Sequence, residues 1–429
     1  MALLSLFDGI GTARVGLDDV LSRLNRQDAL THSWFVELDD ALSAAVRRHW
    51  RTDGTRVSAP DHQFLARDVW ELLADGDTPM DTICRQLPAH TLLLVIAGSP
   101  CQQLTTIGPG RGELGICGED SSLVITVPLI AGELQRRRPD VRVHVLLENA
   151  GSMLPIHREA ITEMLGVNMS SHAPVVDAAG WTAFTRRRTL FATVADDERW
   201  TPPRRPRPWD AGWSPAAGRG ATMATMTRSR ARAGEPLRAS TYQYAPRYLV
   251  IQHGSRCDCP PYDLGFRIRD FIPVHLRAAY RHIQSGFLTT GTGQATDDAT
   301  RWFAVHGEAF GVRVPNVSER GRAMGMLPYL RSLGLTDTQI YNAQGNSFDR
   351  AIVGLRLGPI VARWLAGGDI PTHVFPTPHT ILNVYRRVYA NRLAAGWAPT
   401  MDRPVPPAVR VAGDLRRISI AAEHGREGQ

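Results

Sequence analysis

The chain contains no lysine, so all 49 of its Lys/Arg positions are arginine. Cysteine is scarce too, at five in 429 residues, which excludes a disulfide scaffold and points to a reducing compartment. No apolar run reaches the roughly 18 residues that a membrane span needs, so no membrane partner is expected. The first residues, Met-Ala-Leu-Leu-Ser-Leu-Phe-Asp, place an acid where a secretion signal carries positive charge, and export is not expected. What remains is 43% hydrophobic and 21% charged, the profile of a globular chain with a sizeable core and two or three domains.

The basic charge is unevenly spread. Residues 197–256 hold 11 arginines against four acids, a net of +7, which equals the net charge of the whole chain. The remainder is therefore close to neutral. A solvated surface spreads its charge, whereas a concentrated arginine segment suits a polyanion, and arginine forks onto phosphate and guanine better than lysine does.

Residues 1–195 alternate between strand and helix patterns. Ala2–Phe7 is apolar and runs into Asp8-Gly9-Ile10-Gly11, and Ala13–Leu24 then has helical spacing. Ser33–Val36 ends at Glu37, and Asp40–His49 continues as helix. Thr91–Ala97 and Val141–Leu147 are continuous apolar runs, as expected of strands buried on both faces. The first ends at Gly98-Ser99-Pro100-Cys101-Gln102 and the second at Glu148-Asn149. This alternation predicts a parallel α/β sheet, and ligands of such sheets sit beyond the carboxyl ends of the strands, where these polar residues fall.

Residues 196–315 break the rhythm. Gly218–Gly234 reads as a loop, and Tyr242–Gln252 and Phe266–Pro273 as strands. Helical patterning returns over 316–368, where Gly345-Asn346-Ser347 opens an amphipathic stretch containing Ile352, Val353 and Ile360. The Pro/Arg-rich tail, 369–429, reads as an extended C-terminal segment.

Each polar cluster has a plain reading beside a chemical one. The glycine loop is a tight turn or a cradle for a nucleotide-like ligand. Glu37 is a surface acid or a partner for a ribose hydroxyl pair. Cys101 is an inert buried thiol or, presented by a proline turn, a nucleophile. Glu148 caps a helix or, buried, exchanges protons. Arg186-Arg187-Arg188 is a solvated face or a charge partner at the mouth of the site. Cys257 and Cys259 form a C-x-C pair with no second pair nearby, so no metal site is expected.

The order of these clusters is specific. Phe-x-Gly-x-Gly, Glu, Asp, Pro-Cys-Gln, Glu-Asn, Arg-x-Arg and Gly-Asn-Ser resembles the motif series of the cytosine-5 DNA methyltransferases, over 1–195 and 315–366. Leu-Phe-Asp-Gly-Ile and Gly-Ser-Pro-Cys are similar to the animal de novo branch. The resemblance implies a Rossmann-like mixed, mostly parallel sheet with helices on both faces, plus a smaller irregular or β target-recognition domain at 196–315. It implies S-adenosylmethionine as cofactor, bordered by Phe7, Asp8, Gly9, Gly11, Glu37, Leu38, Asp68, Val69, Pro100, Asn346 and Ser347. It implies Cys101 as nucleophile, Glu148 as the acid on the cytosine edge, and Arg186 and Arg188 as the arginine pair. Glu319 and Gly325 fit the motif before the last one.

Double-stranded DNA is the implied partner. The implied setting is cytoplasm or nucleoid for a prokaryotic or viral chain and nucleus for a eukaryotic one, and restriction-modification is one such role. The pattern departs from the family at Thr12, Ala150 and Phe184, and around 51–66 and 75–90, which read as surface insertions. A transfer RNA methyltransferase of the same family and a catalytically inactive DNA-binding homologue stay open as alternatives.

Overall fold

The computed structural model describes residues 1–51, 60–74, 76–101, 103–104, 115–118, 120–177, 187–194, 321, 326–348 and 350–395. Its centre is a sheet of seven strands: β1 Ala2–Leu6, β2 His32–Val36, β3 His62–Ala66, β4 Leu92–Ala97, β5 Arg142–Ala150, β6 Val175–Asp177 and β7 Arg187–Ala192. They lie in the order β3-β2-β1-β4-β5-β7-β6. The pairs among β1 to β5 are parallel, whereas β7 runs antiparallel to both β5 and β6. This is the expected mixed, mostly parallel sheet. It differs from the doubly wound order 3-2-1-4-5-6 by one antiparallel strand inserted next to the edge.

The helices are α1 Thr12–Arg23, α2 Asp40–Trp50, α3 Pro79–Gln86, α4 Thr126–Arg137, α5 Pro155–Leu165, α6 Met169–His172, α7 Leu327–Ser332, α8 Asp337–Asn346, α9 Arg350–Leu365 and α10 Pro378–Ala394. Alternation along the buried strands sends successive side chains to opposite faces. Leu93, Val95, Val145 and Leu147 meet residues of α3, α4, α5 and α10 on one face. Leu94, Ile96, Leu146 and Leu190 meet α1 and α9 on the other. Each such side chain, fully buried, contributes about 1.5–3 kcal/mol. The α1–α9 crossing is close, because a Cβ on Gly16 would lie 2.6 Å from a methyl of Val353. Arg350 pairs with Asp19 across the same crossing.

Four expectations need correction. β5 does not stop before Glu148-Asn149 but continues to Ala150, because β7 supplies ladder partners as far as Ala150↔Arg188. Arg187 and Arg188, expected to precede a strand over Thr189–Val194, lie inside it, because β7 runs from Arg187 to Ala192. The stretches read as insertions contain β3 and α3, and Met80 and Ile83 of α3 are core residues. The tail read as extended carries α10, with Ile381, Leu382, Val384, Tyr385 and Val388 buried. Thr377 caps that helix by accepting the Thr380 N–H at 3.2 Å. The expected recognition segment, 196–315, lies outside the described residues.

Candidate functional site

The chain leaves β1 toward β2 and β3, then returns to the other side of β1 to lay down β4 and β5. The direction of winding reverses between β1 and β4, and open α/β sheets bind their ligands beyond the strand ends at such a switch point. The Phe7–Gly11 loop and the Gly98–Cys101 turn leave the sheet there, joined where Gly98 N–H donates to Leu6 O at 3.3 Å.

The loop after β1 is wound left-handed at Phe7 (φ 56°), Gly9 (φ 59°) and Gly11 (φ 74°). At Gly9 a Cβ would meet nothing within 4 Å, so the backbone faces open space. At Gly11 a Cβ would lie 2.6 Å from the Tyr329 hydroxyl, which donates to Ile10 O. Phe7 has no such freedom, and a non-glycine residue there needs support from its surroundings.

The support is a buried polar chain. Asp8 accepts the Ser5 hydroxyl on one carboxylate oxygen, and the other lies 3.4 Å from His62 Nε2. His62 Nδ1 is 2.7 Å from Ser33 Oγ, and its ring packs on Phe35 at 4.7 Å. All four polar residues are buried. Asp8 therefore turns inward and anchors the loop, away from the side Gly9 leaves open.

Glu37 closes the other side of the loop. Its Oε2 accepts Gly9 N–H at 2.7 Å and its Oε1 accepts Asp39 N–H at 2.9 Å. Burial raises its pKa, and those two N–H donors act against the rise. A carboxylate has about four lone-pair sites, so room remains for a hydroxyl pair. Leu38 beside it is 63% exposed, a large apolar side chain left to face a ligand. Asp68 stays exposed and caps the next turn by accepting Trp70 N–H at 3.0 Å, while Val69 is buried in the core. These residues fit a nucleoside cofactor: an open glycine backbone, a carboxylate with spare acceptors and an uncovered apolar flank.

Cys101 follows the Ser99-Pro100 turn and is half-buried. Burial raises the thiols of Cys84 and, to about 12, Cys117, which keeps both protonated. The turn is tied to β5 by Asn149. Its amide donates to Ser99 Oγ at 2.9 Å and Ser99 O at 3.3 Å, and its own oxygen accepts Ala150 N–H at 2.7 Å. Glu148, next in the strand, points to the opposite face. It is buried and paired with Arg188, Nε to Oε1, at 2.5 Å. The two lie diagonally across the β5–β7 ladder, since Glu148 pairs with Leu190. Arg188, expected as one of the arginine pair, thus holds the acid.

The late motif reaches the site by a neighbour. Asn346 ends α8, and Ser347 is buried with its hydroxyl donating to Gln344 O at 3.2 Å. Phe348, which the motif reading passed over, comes within 3.1 Å of the Cβ position of Gly98. His62, Ser33, Tyr329 and the role of Asn149 were also missed. They are ordinary core and strand-end residues whose meaning is spatial; only Asn149 was flagged by its neighbour. Arg186, Gln102, Glu319, Gly325, Cys257 and Cys259 lie outside the described residues. Among the described residues no cluster of potential metal ligands occurs, and no helix is long and apolar enough to cross a membrane.

No protein-family model matches the chain, and no curated protein sequence matches it. Among solved structures, the Entamoeba histolytica methyltransferase EhMeth is similar at 11% identity and TM-score 0.45, over 85% of this chain and 98% of its own. A Spodoptera frugiperda DNMT2 mutant is similar at 14% and 0.40, over 83% and 98%. The S. pombe Dnmt2 methyltransferase is similar at 12% and 0.41, over 85% and 99%. Neither the fold nor the chemistry of this chain rests on these likenesses.

Proposed function

We propose that this chain is an S-adenosylmethionine-dependent cytosine-5 methyltransferase acting on double-stranded DNA. One observation carries the reading: Asn149, next to the paired Glu148 at the end of β5, fixes the turn that carries the half-buried Cys101 at the end of the neighbouring strand β4, beside the point where the sheet reverses its winding. The motif order and the cradle of Gly9, Glu37 and Leu38 support the cofactor.

When bound, S-adenosylmethionine supplies an electrophilic methyl group. Cytosine carbon 5 attacks such a group poorly unless carbon 6 is first engaged. The Cys101 thiolate adds to carbon 6, and electron density moves toward carbon 5 and ring nitrogen 3. Glu148, as the acid on the cytosine edge, gives its proton to nitrogen 3 as the sulfur adds and recovers it when carbon 5 takes the methyl group, a contribution of about 10²–10⁴-fold. Arg188 orients Glu148 for that transfer, and its guanidinium suits the base's oxygen 2. After carbon 5 gains the methyl group, it loses its proton to a base, the bond to sulfur breaks and the thiolate departs. Carbon 6 is out of reach in a stacked duplex, so the base is extruded at a cost of a few kcal/mol. Phosphate contacts from the arginines of 197–256 offset this cost and favour a duplex polyanion.

The test is transfer of labelled methyl from S-adenosylmethionine to duplex DNA and, separately, to transfer RNA. The reading expects 5-methylcytosine in DNA. Label in transfer RNA alone reassigns the substrate, and cofactor binding without transfer to either indicates an inactive homologue.

A further inference from the structure

Two glutamines follow the thiol. Gln102 belongs to the Pro-Cys-Gln motif and Gln103 does not. Gln103 is nevertheless tied down by its side chain. Its Oε1 accepts the Ser121 N–H at 3.1 Å and the Ser121 hydroxyl at 2.8 Å, and its Nε2 donates to Asp120 Oδ2 at 3.2 Å. Its own N–H donates to Ser121 Oγ at 3.3 Å.

The anchor is part of the core. Ser121 is fully buried and opens the short 3₁₀ turn Ser121–Ile125, which runs into α4. The first N–H groups of such a turn have no partner inside it, so the Gln103 oxygen satisfies a donor that is otherwise stranded. Val124 and Ile125 of the turn share a core with Val145 and Leu147 of β5, the strand that carries Glu148.

The surroundings of Gln103 are fixed as well. Leu104 is fully buried, and its N–H donates to Cys101 O at 3.1 Å, the i to i+3 bond of a tight turn. Gly115 N–H donates to Gln103 O at 3.1 Å. At Gly118 a Cβ would lie 2.7 Å from the Gln103 Cβ, so the glycine leaves room for the side chain. Asn149 holds Ser99, two residues before Cys101, and Gln103 stands two residues after it. The backbone of the thiol is therefore tied on both sides, to β5 before it and to the start of α4 after it. Such ties matter for a nucleophile, because a misplacement of about 1 Å can cost about 10²-fold in rate.

We propose that Gln103 is a positioning residue for the nucleophile, its amide fixing the chain that leaves Cys101 to Asp120-Ser121 so that the sulfur is held where carbon 6 of the base arrives. The inference rests on the methyl-transfer reading, in which Cys101 is the attacking group.

The experiment uses the full chain, duplex DNA and S-adenosylmethionine, with single-turnover methyl transfer at saturating concentrations as the rate. Gln103→Ala is expected to slow transfer by at least about tenfold, while affinities for S-adenosylhomocysteine and duplex stay unchanged. Gln103→Glu places a second carboxylate against Asp120 and should slow transfer to a similar extent. The double variant Gln103→Glu with Asp120→Asn reverses the polarity of that one bond and keeps the acceptor for Ser121. It should recover to within about threefold of the unaltered rate. This pair also decides the matter where Gln103→Ala does not fold. An unaltered rate in Gln103→Ala, or a double variant no faster than Gln103→Glu alone, overturns the proposal and leaves the methyl-transfer reading standing. No transfer by the unaltered chain, or transfer that survives Cys101→Ser, overturns both.

Discussion

Asn149 spans two strand ends: its amide lies 2.9 Å from the Ser99 hydroxyl and 3.3 Å from the Ser99 carbonyl oxygen. It therefore sets where the following Pro100-Cys101 turn sits relative to Glu148. Asn149→Ala is expected to lower kcat/KM for methyl transfer by at least about tenfold, the scale of one to two buried hydrogen bonds. Its affinity for S-adenosylhomocysteine should match the unaltered chain. Single-turnover kinetics with parallel calorimetry check this, and an unchanged rate would remove the clamp from the account.

Glu37 gives a pH dependence with a definite sign. Burial raises its pKa above the ordinary carboxylate value, and only the ionised form can accept from both backbone donors and a ribose pair. Cofactor affinity is expected to fall as pH drops through that raised value. Glu37→Gln should bind about tenfold more weakly at neutral pH and show a flat profile over the same range. Calorimetric titrations across pH read both effects.

His62 tests the support of the glycine loop. Replacing it with Phe keeps the ring packing on Phe35 but removes the partner 3.4 Å from Asp8. The expected loss of unfolding free energy is about 1–3 kcal/mol, seen as a lower urea midpoint at an unchanged slope. No loss would mean that Asp8 needs only Ser5.

The visible and the hidden parts of the site divide by the kind of signal. β1, β2 and β4 are legible as apolar runs bounded by polar turns, so Gly9, Glu37 and Cys101 fall at strand ends from order alone. The extension of β5 through Glu148 and Asn149 could not, because a strand made of Glu, Asn and Ala owes its form to the antiparallel partner β7. Tyr329 and Phe348 reach the β1 and β4 turns from more than 200 residues away, and nothing local marks such contacts. His62 reads as one more polar strand residue until β2 and β3 are paired. The helix after the proline-rich 371–378 stretch was legible in its spacing of Ile381, Val384, Tyr385 and Val388, but composition outweighed periodicity there.

The arginine excess carries a salt prediction. Changing Arg219, Arg228, Arg230, Arg232 and Arg238 to Gln should reduce the slope of log affinity for duplex DNA against log salt, by up to ~0.9 for each phosphate no longer neutralised. Binding titrations from low to physiological salt measure it. An unchanged slope would move the DNA face elsewhere.

The thiol itself is tested by trapping. A duplex carrying 5-fluorocytosine at the target cannot lose a proton from carbon 5, so the protein should stay attached after methyl transfer. Denaturing electrophoresis and peptide mass spectrometry with S-adenosylmethionine present should show one covalent complex, its modified peptide containing Cys101, and none with Cys101→Ser. A covalent complex that maps to another cysteine, or methyl transfer that persists in Cys101→Ser, would contradict the account.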